Sequence, residues 1–339
     1  MPDLKIDQNL VDWDELSELE WRNLLLGNGF SINIWRRFGY GTLFELARRE
    51  DINHPLNAQS LALFEHIGST NFEEVLRVLY HAKIVDQQLG NPQEVEITAL
   101  YESVNNALGS AVNFAHIPRE LADVSEINTG LRHYNNVFTT NYDLIPYWAI
   151  MESDTWRFKD YFWGEEGSFD SSNTSAPADR TKLHYLHGAI HLVELPNGKT
   201  KKLVANRLNS LSELFNLDHP EQFPLFITEG SSKGKLSRIK RNDYLRFCYE
   251  NLARSENGLV IIGHSLDKNY DQHIIDAILE SYSSKVAIGI WPHQENEDIV
   301  ALKSRLTVEF KGKELYFFNS ETHPLASVGL NVRDEDANG

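Results

Sequence analysis

The sequence predicts an α/β protein: a Rossmann-like, mostly parallel sheet with helices on both faces, plus a helical module inserted after the first strand. Three observations carry that expectation. Short apolar runs that end in Gly, Asn or Thr-Asn recur along the chain, and being apolar on both sides of the pleat they read as strands of a sheet covered on both faces. Segments of helical period alternate with these runs in the second half, which implies parallel crossovers. From about Ala47 to Ile127 there are helix signals and no convincing strand.

Taken in order, the first strand is Asn23 to Leu26. Thr70-Asn71-Phe72-Glu73 then reads as a capping box that opens a helix with Phe72, Val75, Leu76 and Leu79 on one face. Ile97, Leu100, Tyr101, Val104 and Leu108 repeat the stripe, and the two stripes are candidates for a contact surface or for packing on each other. Asn136 to Thr139 is the second strand, and Tyr161 to Ala178, rich in Gly and Ser, reads as an irregular loop and a candidate lid. Tyr244, Leu245, Cys248 and Leu252 form a helical stripe ahead of the strand Leu259 to Ile262. Asp271 is a plausible N-cap for a helix carrying Ile274, Ile275, Ile278 and Tyr282, and Val286 to Trp291 and Leu315 to Phe318 close the sheet. The expected division is an α/β domain over 1–46 and 128–330, the helical module over 47–127 and an acidic tail over 331–339.

Composition narrows the function. The 339 residues carry 32 Lys and Arg against 49 Asp and Glu, a net charge of -17 that disfavours nucleic acid as the main partner. The single Cys248 excludes an internal disulfide and a zinc site of four thiolates, and fits a reducing compartment. No apolar run approaches the roughly 18 residues of a membrane span, and the first twenty residues are acidic where a secretory or transit leader is basic. The expectation is a cytoplasmic protein that meets no membrane.

Four segments at strand ends carry candidate chemistry. Gly27-Asn28-Gly29-Phe30-Ser31 follows the first strand, where a Gly-rich turn lets backbone N–H groups approach a diphosphate; it is equally a tight turn, and it lacks the third Gly of the dehydrogenase fingerprint. Thr139-Thr140-Asn141-Tyr142-Asp143 ends the second strand, where open α/β sheets bind ligands and where Asn141 or Asp143 would also serve as a helix cap. His184, His187 and His191 invite a metal reading, against which Gly188 and the β-leaning neighbours oppose the helix that would align them. A single functional His beside Gly188 and no metal is the expectation. In Gly263-His264-Ser265-Leu266-Asp267, Ser265 and Asp267 would hold ribose hydroxyls or cap the next segment.

In order and spacing these four motifs resemble the sirtuin-like family, and more closely its bacterial branch of NAD-consuming defence proteins. Gly27-Asn28-Gly29-Phe30-Ser31 is similar to that family's diphosphate loop, Thr139 to Asp143 matches the Thr-Thr-Asn-Tyr-Asp of the bacterial branch, His187-Gly188 its catalytic His-Gly, and Gly263-His264-Ser265 its ribose loop. Asn28 stands where Ala is usual and His264 where Thr is usual, and Gly39 to Phe44 is only a loose echo of the deacylases' Gly-Ile-Pro-Asp-Phe-Arg.

The resemblance implies a glycohydrolase that cleaves NAD to nicotinamide and ADP-ribose and depletes NAD in anti-phage defence. It implies Asn141 as the residue that positions the attacking water and His187 as the general base, both outside the core on strand-end loops. Gly27, Asn28, Gly29, Ser31, Thr140, Asp143, Gly263, Ser265, Asp267 and Asn319 are the implied NAD-binding set. A non-catalytic sensor or scaffold for NAD or ADP-ribose is the alternative; an NAD-dependent protein deacylase is weaker, because its usual four-Cys zinc module cannot be built here. An unrestrained NAD hydrolase would harm its own cell, so a homo-oligomer, or control by a partner such as an ATPase or a phage-sensing protein, is expected.

Overall fold

The computed structural model describes residues 6–39, 42–90, 94–205, 211–215, 218–227 and 231–333. Its strands are β1 (Asn23–Leu26), β2 (Asn136–Thr139), β3 (Phe158–Lys159), β4 (Thr181–Tyr185), β5 (Gly188–Glu194), β6 (Thr200–Lys202), β7 (Phe223–Phe226), β8 (Leu259–Ile262), β9 (Lys285–Ile290) and β10 (Glu314–Asn319). Its α-helices are α1 (Trp13–Ser17), α2 (Asn28–Ile34), α3 (Leu43–Ala47), α4 (Ala58–Ile67), α5 (Phe72–Leu89), α6 (Glu94–Ala115), α7 (Val124–Leu131), α8 (Ile145–Glu152), α9 (Ser232–Arg241), α10 (Asp243–Ala253), α11 (Lys268–Glu280) and α12 (Asn296–Glu309).

Seven strands form one sheet in the order β10-β9-β8-β1-β2-β4-β3, and every pairing in it is parallel. Helices flank it on both faces, as the doubly apolar strands require: all four residues of β1 and of β8 are buried. In the central register Leu25 lies between Phe138 of β2 and Ile261 of β8. On one side of β1 the sheet runs β2, β4, β3, with the chain laying down the edge strand β3 before β4 inserts beside β2, and it then returns to the opposite side of β1 as β8. The order therefore reverses between β1 and β8, the place where open α/β sheets leave a crevice beyond the strand carboxyl ends.

The inserted helices α4, α5 and α6 lie between β1 and β2 in sequence, and their apolar faces pack inward. Phe72, Val75, Leu76, Leu79, Tyr101, Val104 and Leu108 are buried in the same continuous cluster as the sheet residues, with Ile97 and Leu100 packed against it. Those stripes are thus core and do not form a contact surface. The helix cap is Asn71, whose side chain accepts from Glu73 N, one residue later than the expected capping box.

Three further elements differ from the sequence reading. Strands β3 and β4, and the antiparallel sheet β6-β5-β7, lie outside the five strand ranges read from the sequence. The loop 161–178 is no lid: Phe169 is buried against Tyr244 and Phe247, its N–H bonds to Thr200 O, and Ser168 bridges to Lys201. The tail begins as structure, because Val332 N donates to Ile34 O and pairs with Trp35; residues 334–339 lie outside the described residues.

Candidate functional site

The loops that follow β1 and β8 are stitched to each other. Gly27 N donates to Ile262 O at 2.9 Å and Gly29 N to Gly263 O at 2.7 Å. Gly263 has φ +66, and a Cβ there would fall 2.2 Å from Phe30 N, so this close approach alone demands a residue without a side chain. Gly27 and Gly29 are excluded from bearing a Cβ by the Gly263 backbone, at 2.6 and 2.7 Å. The glycines are therefore accounted for by contact between two loops, at the point where the strand order reverses.

Asn141, just beyond β2, ties the third strand end to the first two. Its Nδ2 donates to Gly27 O at 2.9 Å and to Ser31 Oγ at 2.8 Å, while its Oδ1 is buried without a partner. Ser31 Oγ donates to Asp143 Oδ2 at 2.6 Å, and Asp143 Oδ1 accepts from Ile145 N at 2.9 Å. Burial pushes the Asp143 carboxyl up from 3.8 to about 6, although the bonds from Ser31 and Ile145 oppose the rise. Asp143 thus orients the loop from behind the cavity wall.

His187 occupies the turn between β4 and β5, which Gly188 makes possible: with φ +76, it sits where a Cβ would lie 2.0 Å from Leu225 O. The Nε2 atoms of His187 and His273 are 2.8 Å apart, and His273 Nδ1 lies 2.9 Å from Ser232 Oγ. Nearby, Lys235 Nζ pairs with Asp271 Oδ1 at 3.1 Å. Desolvation, with the Lys235 ammonium close by, holds His187 well below the usual imidazole range; desolvation lowers His273 to about 4, against the pull of Asp271.

These groups surround a cavity of about 440 Å³ lined by Asn28, Gly29, Thr42, Leu43, Thr140, Asn141, Tyr142, His187, Lys235, Gly263, His264, Ser265 and Asp271, among others. A second cavity of about 670 Å³ shares Gly29, Ile32 and Gly263 with it and extends over β9 and β10, past Arg36, Trp291, His293, Glu321 and Arg333. Together they form a trough along the carboxyl edge of the sheet.

The family model of a domain of unknown function, DUF4917, matches residues 24–325. The chain belongs to the DUF4917 family. No curated protein is found to match it. The DUF4917 match contains every residue of the first cavity and all of the second but Ala326, Val328, Asn331 and Arg333, which lie past its end.

Of the residues singled out from sequence, Asn28, Gly29, Thr140, Asn141, His187, Gly263 and Ser265 line the first cavity. Gly27, Ser31 and Asp143 stand directly behind its lining, joined through Asn141. Two do not converge. Asp267 is the N-cap of α11, accepting from Asn269 N, which is the capping alternative read for it and takes the role expected of Asp271; Asn319 caps the turn Ser320–Thr322 by accepting from Glu321 N. Asn141 and His187, expected outside the core, are only 4% and 3% exposed, because the strand-end loops fold over one another.

His184 and His191 do not join His187. Each is fully buried among aromatic rings, His184 stacked on Phe138 at 4.8 Å and His191 against Tyr147 at 4.6 Å, with both ring nitrogens unpartnered. Sequence reasoning missed Lys235, which α9 brings to the cavity lining, and Ser232 and His273, which α9 and α11 place behind His187. Of the loose echo at 39–44, Tyr40 and Gly41 lie outside the described residues, while Thr42 and Leu43 reach the cavity.

Proposed function

We propose that this chain is an NAD glycohydrolase. The observation that carries the reading is that Asn141, whose Oδ1 is buried without a partner, lines the same cavity as His187, at the crevice between β1 and β8. A lone acceptor in such a place has a use once a ribose hydroxyl or a water donates to it.

Cleavage breaks the bond between the nicotinamide nitrogen and the anomeric carbon; the electron pair leaves with nicotinamide, and the ribose takes on oxocarbenium character. Water then bonds to that carbon and gives up a proton. Asn141 orients the water or hydroxyl, and His187, kept neutral by its surroundings, receives a proton. The second cavity has the size for the adenosine half, with Trp291 to stack on a base and Arg36 to offset the diphosphate charge in a chain of net -17. Defence by NAD depletion, a cytoplasmic setting, a homo-oligomer and a regulatory partner belong to the same reading.

Incubating the purified chain with NAD and resolving the products by chromatography tests it. Release of nicotinamide and ADP-ribose without any acylated peptide supports the hydrolase. Binding without turnover identifies a sensor or scaffold, and neither binding nor turnover overturns the NAD reading.

A further inference from the structure

Behind His187 lies a chain of buried groups that the proposed reaction does not use. Ser232 Oγ is 2.9 Å from the backbone N of His273 and 2.9 Å from its Nδ1. The backbone N–H can only donate, so the hydroxyl oxygen accepts there and keeps its own proton to give. Among the described residues His273 Nδ1 is the acceptor within reach, and a ring that accepts at Nδ1 carries its proton on Nε2. That Nε2–H faces His187 Nε2 at 2.8 Å and donates to it. His187, accepting at Nε2, is then protonated at Nδ1.

We propose that Ser232 and His273 are positioning residues that hold His187 in its Nδ1–H tautomer, so that in the resting protein His187 turns a donor and not a lone pair toward the cavity. Ser232, His187 and His273 are 8%, 3% and 1% exposed, which limits their exchange with solvent. The groups facing the two rings are Lys235 from α9, Asp271 and Asp276 from α11 and His264 from the loop after β8. With Lys235 paired to Asp271, the carboxylate next to the rings is already balanced, and both imidazoles stay neutral.

The same neighbourhood admits a metal on paper, because donor atoms of His187, Asp271 and His273 lie within 4.8 Å of one another. Two features oppose it. The Lys235 ammonium, with 8% of its side chain exposed, already supplies the cation beside Asp271. Two imidazole nitrogens on one tetrahedral zinc stand about 3.3 Å apart, whereas 2.8 Å is a hydrogen bond.

One consequence rests on the glycohydrolase reading. To receive a substrate proton at Nδ1, His187 must first enter the reversed chain, in which its Nε2–H donates to His273 Nε2 and His273 Nδ1–H donates to Ser232 Oγ. Reversal shifts each proton one bond: one leaves His187 Nδ1 for water in the cavity, and one enters at Ser232 Oγ from solvent. Ser232 thereby biases the resting site against proton abstraction.

The tautomer is measurable without NAD. Long-range proton–nitrogen correlation spectra of the full chain labelled with ¹⁵N-histidine, assigned with His187→Gln and His273→Gln, report which nitrogen carries each proton. The expected wild-type result is Nδ1–H at His187 and Nε2–H at His273. Ser232→Ala, which deletes the donated proton, should move His187 toward Nε2–H, while His273→Gln, whose amide N–H can still donate, should leave His187 at Nδ1–H. An Nε2–H tautomer in the wild-type protein, no response to Ser232→Ala, or stoichiometric zinc bound by the pair overturns the proposal. If Ser232→Ala does not fold, the wild-type and His273→Gln spectra decide it. Nicotinamide release from the same samples is scored apart: the expected tautomers without turnover overturn the NAD reading alone, and turnover with the opposite tautomer overturns the chain alone.

Discussion

Replacing Asp143 by Asn should alter how stability responds to acid. The carboxyl is 2% exposed and accepts two hydrogen bonds, yet burial outweighs them and raises it from 3.8 to about 6. Between those values the folded chain holds a proton that the unfolded chain has released, so acid favours the native state there. As pH rises through 6 the buried group must ionise, and the native state bears the full cost above that point. A rise from 3.8 to about 6 corresponds to about 3 kcal/mol. Asn does not titrate, so the wild-type unfolding free energy minus that of Asp143→Asn should fall by about 2–3 kcal/mol between pH 4 and pH 7. A separate, pH-independent loss of about 1–3 kcal/mol is expected, because an amide has one acceptor oxygen and so cannot accept from both Ser31 Oγ and Ile145 N, as the two carboxylate oxygens do. Urea denaturation of both proteins at half-unit steps from about pH 4 to pH 7 measures the difference. A difference that stays flat over that range would refute the reasoning, since it would mean that the carboxyl keeps its ordinary affinity for protons.

Four further outcomes are expected. Asn141→Ala and His187→Ala should each lower NAD cleavage by about 100-fold or more, and turnover above about a tenth of wild type in a folded variant would remove the assigned role. Asn141→Ala should also lose about 1–3 kcal/mol in urea denaturation, because Gly27 O and Ser31 Oγ lose their donor. Gly188→Ala should cost about 2–4 kcal/mol, since φ +76 and a Cβ 2.0 Å from Leu225 O force the His187 turn to move; a melting temperature equal to wild type would show that the turn yields freely. His184→Phe should leave stability equal or raise it by about 1 kcal/mol, because it replaces two unpartnered ring nitrogens with carbon in a stack on Phe138; a large loss in calorimetry would reveal a hidden partner.

The sheet was legible where its strands are buried on both faces. Asn23 to Leu26, Asn136 to Thr139 and Leu259 to Ile262 are apolar runs with sharp ends, and the structure reproduces those limits residue for residue. β4 was not legible: Thr181-Lys182-Leu183-His184-Tyr185 mixes polar and aromatic groups, and it becomes a strand because it pairs with β2 at Asn136 to Thr139. β5 and β7 depend on each other in the same way, through a ladder that no local pattern announces. The capping errors have one cause. Asn71 and Asp267 won over Thr70 and Asp271 by placing their side-chain oxygens on the N–H two residues on, a choice that turns on backbone angles no periodicity encodes.

The site divides along the same line. Motifs at the carboxyl ends of β1, β2, β4 and β8 had to meet, because neighbouring parallel strands put those ends on one edge. What surrounds them depends on helices, and a helix residue reaches the edge only if its crossover has the right length and tilt. Lys235 and His273 arrive that way, 48 and 86 residues after His187 in sequence and beside it in space. The local His spacing pointed the other way, at His184 and His191, which the strand alternation of β4 and β5 sends into the aromatic core. Spacing within a strand therefore sorted the histidines by face, and only the packing of α9 and α11 chose the partner. That partner is an imidazole and not a carboxylate, so the charge near His187 comes from the Lys235–Asp271 pair, and its proton position from Ser232.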